Sequence, residues 1–189
     1  MTHGKLFRTA LTLTLAAIVA AGWPADAAAQ KKGGTIKVGN LGEPPTLDAH
    51  WTTASITETL TNHLYEGLYT LDDDNKPIPM LAESLPDVSR DGLTYTFKLR
   101  DGLKFHNGRA VTSADVKYSF ERAVNPATQS PGGGYFGMIA GYDDVAGGKV
   151  GTLNGIETPD ARTVVFRLSR PDATFLHLMA INFGYVVPK

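Results

Sequence analysis

The chain has 189 residues and not one cysteine. Disulfide bonds are therefore excluded as a means of stabilising the fold, even for a protein exported to an oxidising compartment. Cysteine is equally excluded from any metal site. The chain also has no large excess of charge of either sign, because 18 Lys and Arg residues nearly balance 19 Asp and Glu residues, for a formal net charge of −1. Without a basic surface, nucleic acid is not expected as a partner.

Metal-binding patterns are missing as well. The histidines that follow residue 29 stand far apart, and none belongs to an H-x-x-x-H or H-E-x-x-H motif: His50, His63, His106 and His177. The acidic run 72–75 lacks the glycine and the later glutamate of an EF-hand loop, which favours a solvated turn over a calcium site. We therefore predict no metal site.

Catalytic motifs are likewise absent. The segment Gly147–Val150 resembles part of a phosphate-binding loop, but Asp143 occupies the place of its first glycine and Val150 that of its Ser or Thr. No serine lies in a G-x-S-x-G motif. A Ser-His-Asp triad is defined in space rather than in sequence, so a secreted hydrolase stays open as an alternative. We predict a protein that is not an enzyme and needs no cofactor.

The first 29 residues have the three-part pattern of a secretory signal peptide. Lys5 and Arg8 precede an apolar stretch over 10–21, and small residues lead to a cleavage position after Ala27 or Ala29, of which we favour Ala29. A membrane anchor would need roughly 18 to 20 apolar residues, which the stretch does not provide. No cysteine is present to carry a lipid, so we expect a soluble protein of the periplasm without a lipid anchor.

After the signal, alternating residues 35–39 predict a first strand. A capping box over Ser55–Glu58 predicts the start of a helix. Ile56, Leu60 and Leu64 recur at helical spacing, which predicts its buried face, and Gly67 is its expected end.

Residues 82–122 predict a β-hairpin and then a capped helix. The buried face of the hairpin should carry Tyr95, Phe97 and Leu99, because side chains alternate along a strand. The helix should start with a capping box at Thr112–Asp115 and end at Asn125, before Pro126. Its predicted buried residues are Val116, Phe120, Ala123 and Val124.

Turn signals in the following 60 or so residues predict three further features. Ser130–Gly134 should be a flexible loop, 155–168 a second hairpin and 173–180 a helix. The chain then ends within what we interpret as a strand at 185–189. Short hairpins mixed with helices indicate an α+β arrangement.

The segment Trp51, Thr52, Thr53, Ala54 and Ser55 connects the predicted first strand to the predicted first helix. A helix start offers backbone N–H groups and a positive dipole end, which suit carboxylates and peptide carbonyls. The residues alone leave two interpretations open: a connector with a half-buried tryptophan, or a loop that faces a ligand.

Several segments, in order, resemble the peptide-type periplasmic solute-binding proteins of ABC importers (bacterial extracellular solute-binding family 5): Leu47–Asp48, Tyr65–Leu68, Ala82–Arg122, Tyr142–Lys149, Thr163–Leu168, Pro171 and Tyr185–Lys189. The resemblance covers essentially all of the chain after the signal. It implies a two-lobed α/β fold closing on a ligand, with residues 30–65 starting lobe I, 66–168 forming an extra domain, and 169–189 returning to lobe I. An N-terminal fragment without lobe II is expected.

The resemblance implies a function as well. The family captures a peptide-like solute and delivers it to a membrane permease, and we expect the protein to act as a monomer. Of the residues present, only Trp51–Ser55 match a ligand-lining position, so the resemblance favours the ligand-facing interpretation of that loop. Nickel chelates, glutathione, oligosaccharides and opines are alternative cargoes within the family.

Overall fold

The computed structural model describes residues 33–189. The predicted signal peptide, 1–29, lies outside the described residues. Residues 33–39 have no regular secondary structure, and Ile36 and Val38 are 88% and 78% exposed. The strand predicted at 35–39 is therefore wrong for this structure. A strand needs a neighbour for its backbone groups, and no described residue pairs with this one.

Residues 40–189 form one compact unit of short helices and strands. Its α-helices are α1 (Ser55–Thr61), α2 (Ser113–Val124), α3 (Tyr142–Ala146) and α4 (Phe175–Leu178). Its strands are β1 (Tyr69–Leu71), β2 (Pro77–Pro79), β3 (Asp87–Val88), β4 (Thr94–Lys98), β5 (Ile156–Glu157) and β6 (Thr163–Arg167). Short 3-10 helices lie at Pro126–Thr128, Gly133–Phe136 and Asn182–Gly184. In the part of the chain that the structure describes, no helix is long and apolar enough to cross a membrane.

The four-stranded sheet has the order β3-β4-β6-β5, and all its neighbours are antiparallel. Both predicted hairpins are confirmed: β3 with β4, and β5 with β6. The two hairpins join through β4 and β6, where Tyr95 pairs with Phe166 and Phe97 with Val164. The same alternation therefore turns the aromatic residues of both hairpins toward one core. β1 and β2 form a separate two-stranded ribbon.

The acidic run that follows β1 forms a turn, as the sequence predicts. The Asp72 carboxylate accepts hydrogen bonds from the backbone N–H groups of Asp74 and Lys76, at 2.9 and 2.8 Å. Asn75 has the positive φ of 59° that this turn requires.

Helix α2 packs against the core face of the sheet as predicted, and its expected buried residues are all buried. Phe120 meets Phe166 of β6 edge-on, with ring centroids 5.0 Å apart. At the start of the helix, the Asp115 carboxylate accepts hydrogen bonds from the backbone N–H and the hydroxyl of Thr112, which confirms the capping box.

Helix α1 starts at Ser55, where the sequence predicts a helix start, but the predicted capping box, buried face and end are wrong. Ala54 occupies the N-cap, with no side-chain hydrogen bond, and the helix ends at Thr61, well before Gly67. The buried side chains are Thr57 and Thr61, whereas Leu64 is 42% exposed. The Thr57 hydroxyl donates to the Thr46 carbonyl at 3.1 Å, so a polar partner decides which face packs inward.

Three other predicted segments differ from the structure. The glycine-rich segment 130–134 is not a flexible loop, since Gly132 and Gly133 are buried and the Phe183 ring lies where a Gly132 side chain would begin. The helix predicted over 173–180 is confined to α4. The final residues form no strand, because Val187 donates its N–H to the Ser119 hydroxyl, at 2.9 Å, rather than to a neighbouring strand.

Gly155, at the entry to β5, provides a test of this packing. A Cβ atom there would lie 2.6 Å from the Ala140 carbonyl oxygen and 2.8 Å from that of Arg167, and backbone cannot move aside cheaply. We expect Gly155→Ala to lower the free energy of unfolding by about 2 kcal/mol, as overpacking does. Urea unfolding measures the loss. Gly151→Ala is the matched control, because nothing lies within 4 Å of its Cβ position. Equal stability of the two variants would contradict the packing.

Candidate functional site

The predicted ligand loop, Trp51–Ser55, lies at the surface between a buried turn and α1. Trp51 is 48% exposed, and the four residues after it alternate between partly buried and exposed positions. The turn before it is fully enclosed, with Ala49 and His50 exposed by at most 1%. The loop therefore presents one indole ring and small polar groups to solvent from a firmly packed base.

Asp48 fixes the base of the loop to helix α2. Arg122 reaches it with both terminal nitrogens in a bidentate ion pair, the Nη1–Oδ1 distance being 3.0 Å. The same carboxylate accepts the backbone N–H of His50 at 3.0 Å. Burial opposes ionisation here, but the hydrogen bonds from Arg122 and His50 hold the pKa of Asp48 below its ordinary value of 3.8.

His50 bridges α2 and the last residues of the chain. Its Nε2 lies 2.8 Å from the Tyr185 carbonyl oxygen, and its Nδ1 lies 3.0 Å from Nη1 of Arg122. A carbonyl only accepts and a guanidinium only donates, so Nε2 carries the proton and Nδ1 accepts. Burial and the charge of Arg122 lower the pKa of His50 below its ordinary value of 6.5, against the opposing influence of Tyr185 and Asp48. The ring is thus neutral.

Asn182 holds the loop from the other side. Its side-chain N–H group donates to the carbonyls of Ala49, at 2.8 Å, and Thr52, at 3.3 Å. Within the loop, the Thr52 hydroxyl accepts the N–H of Ala54 at 3.0 Å. This N–H group is consequently not available to a ligand, and α1, with seven residues, adds only a short helix dipole.

Two of the histidines lie in a cleft elsewhere on the surface. A cleft of about 480 Å³ lies apart from Trp51–Ser55 and includes none of those residues. Its lining comprises residues 62–66, Met80, Leu81, residues 103–107, Val111, Val186 and Pro188, and so contains both His63 and His106. Among residues 33–189, no three His, Asp or Glu side chains gather as metal ligands would.

Sequence reasoning missed Asp48, His50, Arg122 and Asn182 as parts of the site. Apart from the hydrogen bond between Asp48 and His50, their partners are 72 to 135 positions away along the chain, so no local pattern connects them. The available signals were Leu47–Asp48 and Ala82–Arg122, two of the segments that carry the family resemblance.

Comparisons with known proteins agree with this architecture. Residues 76–188 match the model of the bacterial extracellular solute-binding proteins, family 5. The chain belongs to this family. Its relatives within family 5 include the periplasmic oligopeptide-binding protein OppA of Escherichia coli (strain K12), 34% identical over 82% of the chain. The glutathione-binding protein GsiB of Pectobacterium atrosepticum is 32% identical over 95% of the chain.

A solved structure gives the same family 5 fold. Listeria monocytogenes OppA bound to peptide matches with a TM-score of 0.72 at 33% identity, over 76% of this chain and 28% of that one. The predicted fold class, that of the periplasmic binding proteins, is confirmed. The chain spans 29% of the length of the Escherichia coli relative and 30% of that of the Pectobacterium relative.

Proposed function

We propose that this chain is part of the substrate-binding component of an ABC importer, which captures a peptide and delivers it to a permease in the inner membrane. The observation that carries the proposal is the match, over three quarters of the chain, to a binding protein solved with peptide bound. Ligand binding would favour a closed arrangement of two lobes over an open one.

The division into lobes forms part of this proposal. Residues 30–65 and 169–189 would belong to lobe I and 66–168 to the extra domain, with lobe II encoded after Lys189. Asn182 and Tyr185 contact the segment at 48–52, which brings the two proposed lobe I segments together as the division requires. On this division, the 189 residues alone would bind no peptide, and micromolar binding in calorimetry would contradict it.

The ligand would contact lobe I at Trp51–Ser55. Trp51 offers an apolar ring with one N–H donor, a combination suited to a peptide. The loop backbone is held by Asp48 and Asn182, so little conformational entropy would be lost when a ligand binds.

The names of the relatives support a periplasmic location and a role in binding rather than catalysis. The Escherichia coli OppA is named as periplasmic, and the relatives named above are binding proteins. We accordingly propose a periplasmic monomer, exported by a cleavable signal peptide and free of a lipid anchor, that makes and breaks no covalent bond. The similarity to GsiB supports glutathione, itself a peptide, as a second candidate cargo.

The first test is to sequence the gene beyond codon 189. A long continuation of the same family with permease genes beside it would support import, whereas an isolated short gene would contradict it. The complete gene product is then screened by thermal shift against dipeptides, oligopeptides and glutathione, because a ligand that binds only the native state raises its melting temperature. A hydrolase would instead release cleavage products, which chromatography detects.

Trp51→Ala tests the loop. We expect the affinity of the complete protein for its peptide to fall roughly tenfold, or about 1.4 kcal/mol, because an aromatic contact is lost. Calorimetry measures the change, and Trp51→Phe should retain much of the affinity. Val88→Ala is the control, since Val88 is equally exposed at 48% but lies on the edge strand β3. Unchanged affinity of Trp51→Ala would remove the loop from the ligand site.

A further inference from the structure

Besides Asn182, three side chains that lie outside the loop hold its base in place. Asp48 and His50 immediately precede it, and Arg122 of α2 contacts both, at 3.0 Å to Asp48 Oδ1 and 3.0 Å to His50 Nδ1. We name these three residues the loop anchor. Its members are well enclosed, with His50 fully buried and the side chains of Asp48 and Arg122 exposed by 31% and 26%.

The loop anchor works only with a neutral imidazole. Nε2 of His50 must donate to the Tyr185 carbonyl, and Nδ1 must accept from Arg122. A second proton on the ring would sit on Nδ1 and turn this acceptor into a donor facing another donor. The contact between His50 and Arg122 would then be lost, because neither group could accept.

The charges around His50 do not compensate for a second proton. From its own segment it faces the Asp48 carboxylate, from α2 the Arg122 guanidinium, and from the final segment the uncharged Tyr185 carbonyl. Asp48 is already engaged by both terminal nitrogens of Arg122. A protonated His50 would therefore place two cations against one carboxylate inside a buried turn.

We propose that the loop anchor positions Trp51–Ser55 and releases them when His50 takes up a proton. Asp48, His50 and Arg122 are positioning residues and touch no ligand. The loop keeps its fixed conformation at neutral pH and loses it in acid, while the aromatic core remains folded. That the loop binds ligand rests on the function proposed above, whereas the positioning itself does not.

The test observes Trp51 directly and needs no ligand. Of the two tryptophans, Trp23 and Trp51, the first lies in the proposed signal peptide, so labelling the processed chain with 5-fluorotryptophan leaves Trp51 as the source of the ¹⁹F resonance, which Trp51→Phe should remove. At pH 8 we expect the Trp51 resonance to differ from its position in urea. On acidification the Trp51 resonance should move toward its position in urea. The midpoint should lie below pH 6.5, because the pKa of His50 is lowered from its ordinary value of 6.5 and the ring stays neutral until a lower pH is reached. Far-ultraviolet circular dichroism, to which Trp51 contributes little, should stay constant over the same range.

Variants at His50 and Arg122 decide the assignment. His50→Gln retains a donor for the Tyr185 carbonyl but does not titrate, so its Trp51 resonance should keep the folded position down to pH 4.5. In Arg122→Ala the Trp51 resonance should lie near its position in urea already at pH 8, and Arg122→Lys should restore part of the shift toward the folded position. The exposed Arg100→Ala is the control and should behave as wild type. An unchanged transition in His50→Gln, or a wild-type resonance that does not move in acid, would overturn the proposal. Failure of peptide binding would leave these results untouched.

Discussion

Phe166→Ala should lower the free energy of unfolding by about 4 kcal/mol, a typical cost for removing a buried phenylalanine. Phe166 is fully buried in β6, and its ring lies 5.5 Å from Phe97, 5.0 Å from Phe120 and 5.5 Å from Phe175, between centroids. Its removal leaves a cavity where sheet, α2 and α4 meet. Domains of this size are stable by roughly 5 to 15 kcal/mol, so much of the native stability would be lost.

Urea unfolding followed by circular dichroism gives the measurement, with equal m-values showing that only stability has changed. Leu85→Ala is the control, because Leu85 is 61% exposed and the substitution should cost less than about 0.5 kcal/mol. A loss below about 1 kcal/mol for Phe166→Ala would mean that the aromatic residues do not form one packed core.

The aromatic core could be predicted from sequence because the information is local. Tyr95 and Phe97 alternate with polar residues on β4, and on β6 the buried Val164 and Phe166 alternate with less buried residues, namely Thr163, Val165 and Arg167. Turn residues lie within a few positions of each strand, so the pairing partner is close along the chain. That β4 would pair with β6 was not evident, since no local signal joins strands about 65 residues apart.

Helix α1 shows where local periodicity fails. Ile56, Leu60 and Leu64 have helical spacing, yet Thr57 and Thr61 are the buried residues. The pattern predicts that a helix forms, but the partner decides which face is buried. Here the Thr57 hydroxyl donates to the Thr46 carbonyl of the preceding segment, and the Thr61 hydroxyl donates to the Glu58 carbonyl of its own helix. A threonine face can therefore pack inward in place of an aliphatic one.

The loop anchor could not be predicted from the sequence for a related reason. In the sequence, Arg122 is only one residue of a predicted helix and His50 is only an isolated histidine. The fold places both beside Asp48, 74 and two positions away. Polar clusters assembled from distant segments carry no periodic signal, so the predicted site contained the exposed loop and lacked the residues that hold it.

Asp115→Ala should lower the free energy of unfolding by about 3 kcal/mol. The side chain is 1% exposed and accepts from Arg109, at 2.7 Å, from the N–H of Thr112, at 2.9 Å, and from the N–H of Lys189, at 3.1 Å. Loss of the helix cap costs about 1 kcal/mol. The remainder arises because the Arg109 guanidinium and the N–H of Lys189 also lose this acceptor, and a hydrogen bond to a charged group contributes about 1.5 to 3 kcal/mol.

The dependence on pH separates this role from a general loss of packing. Burial opposes ionisation of Asp115, but hydrogen bonds from Arg109, Lys189 and Thr112 hold its pKa below the ordinary value of 3.8. The carboxylate therefore stabilises the fold fully above pH 3.8 and progressively less as the pH falls below it. The gap in stability between wild type and Asp115→Ala should narrow between pH 4 and pH 2. Asp101→Ala is the matched control, because its side chain is 92% exposed and the same charge is removed. A gap that is constant with pH would mean that the ionised carboxylate is not what stabilises the start of α2.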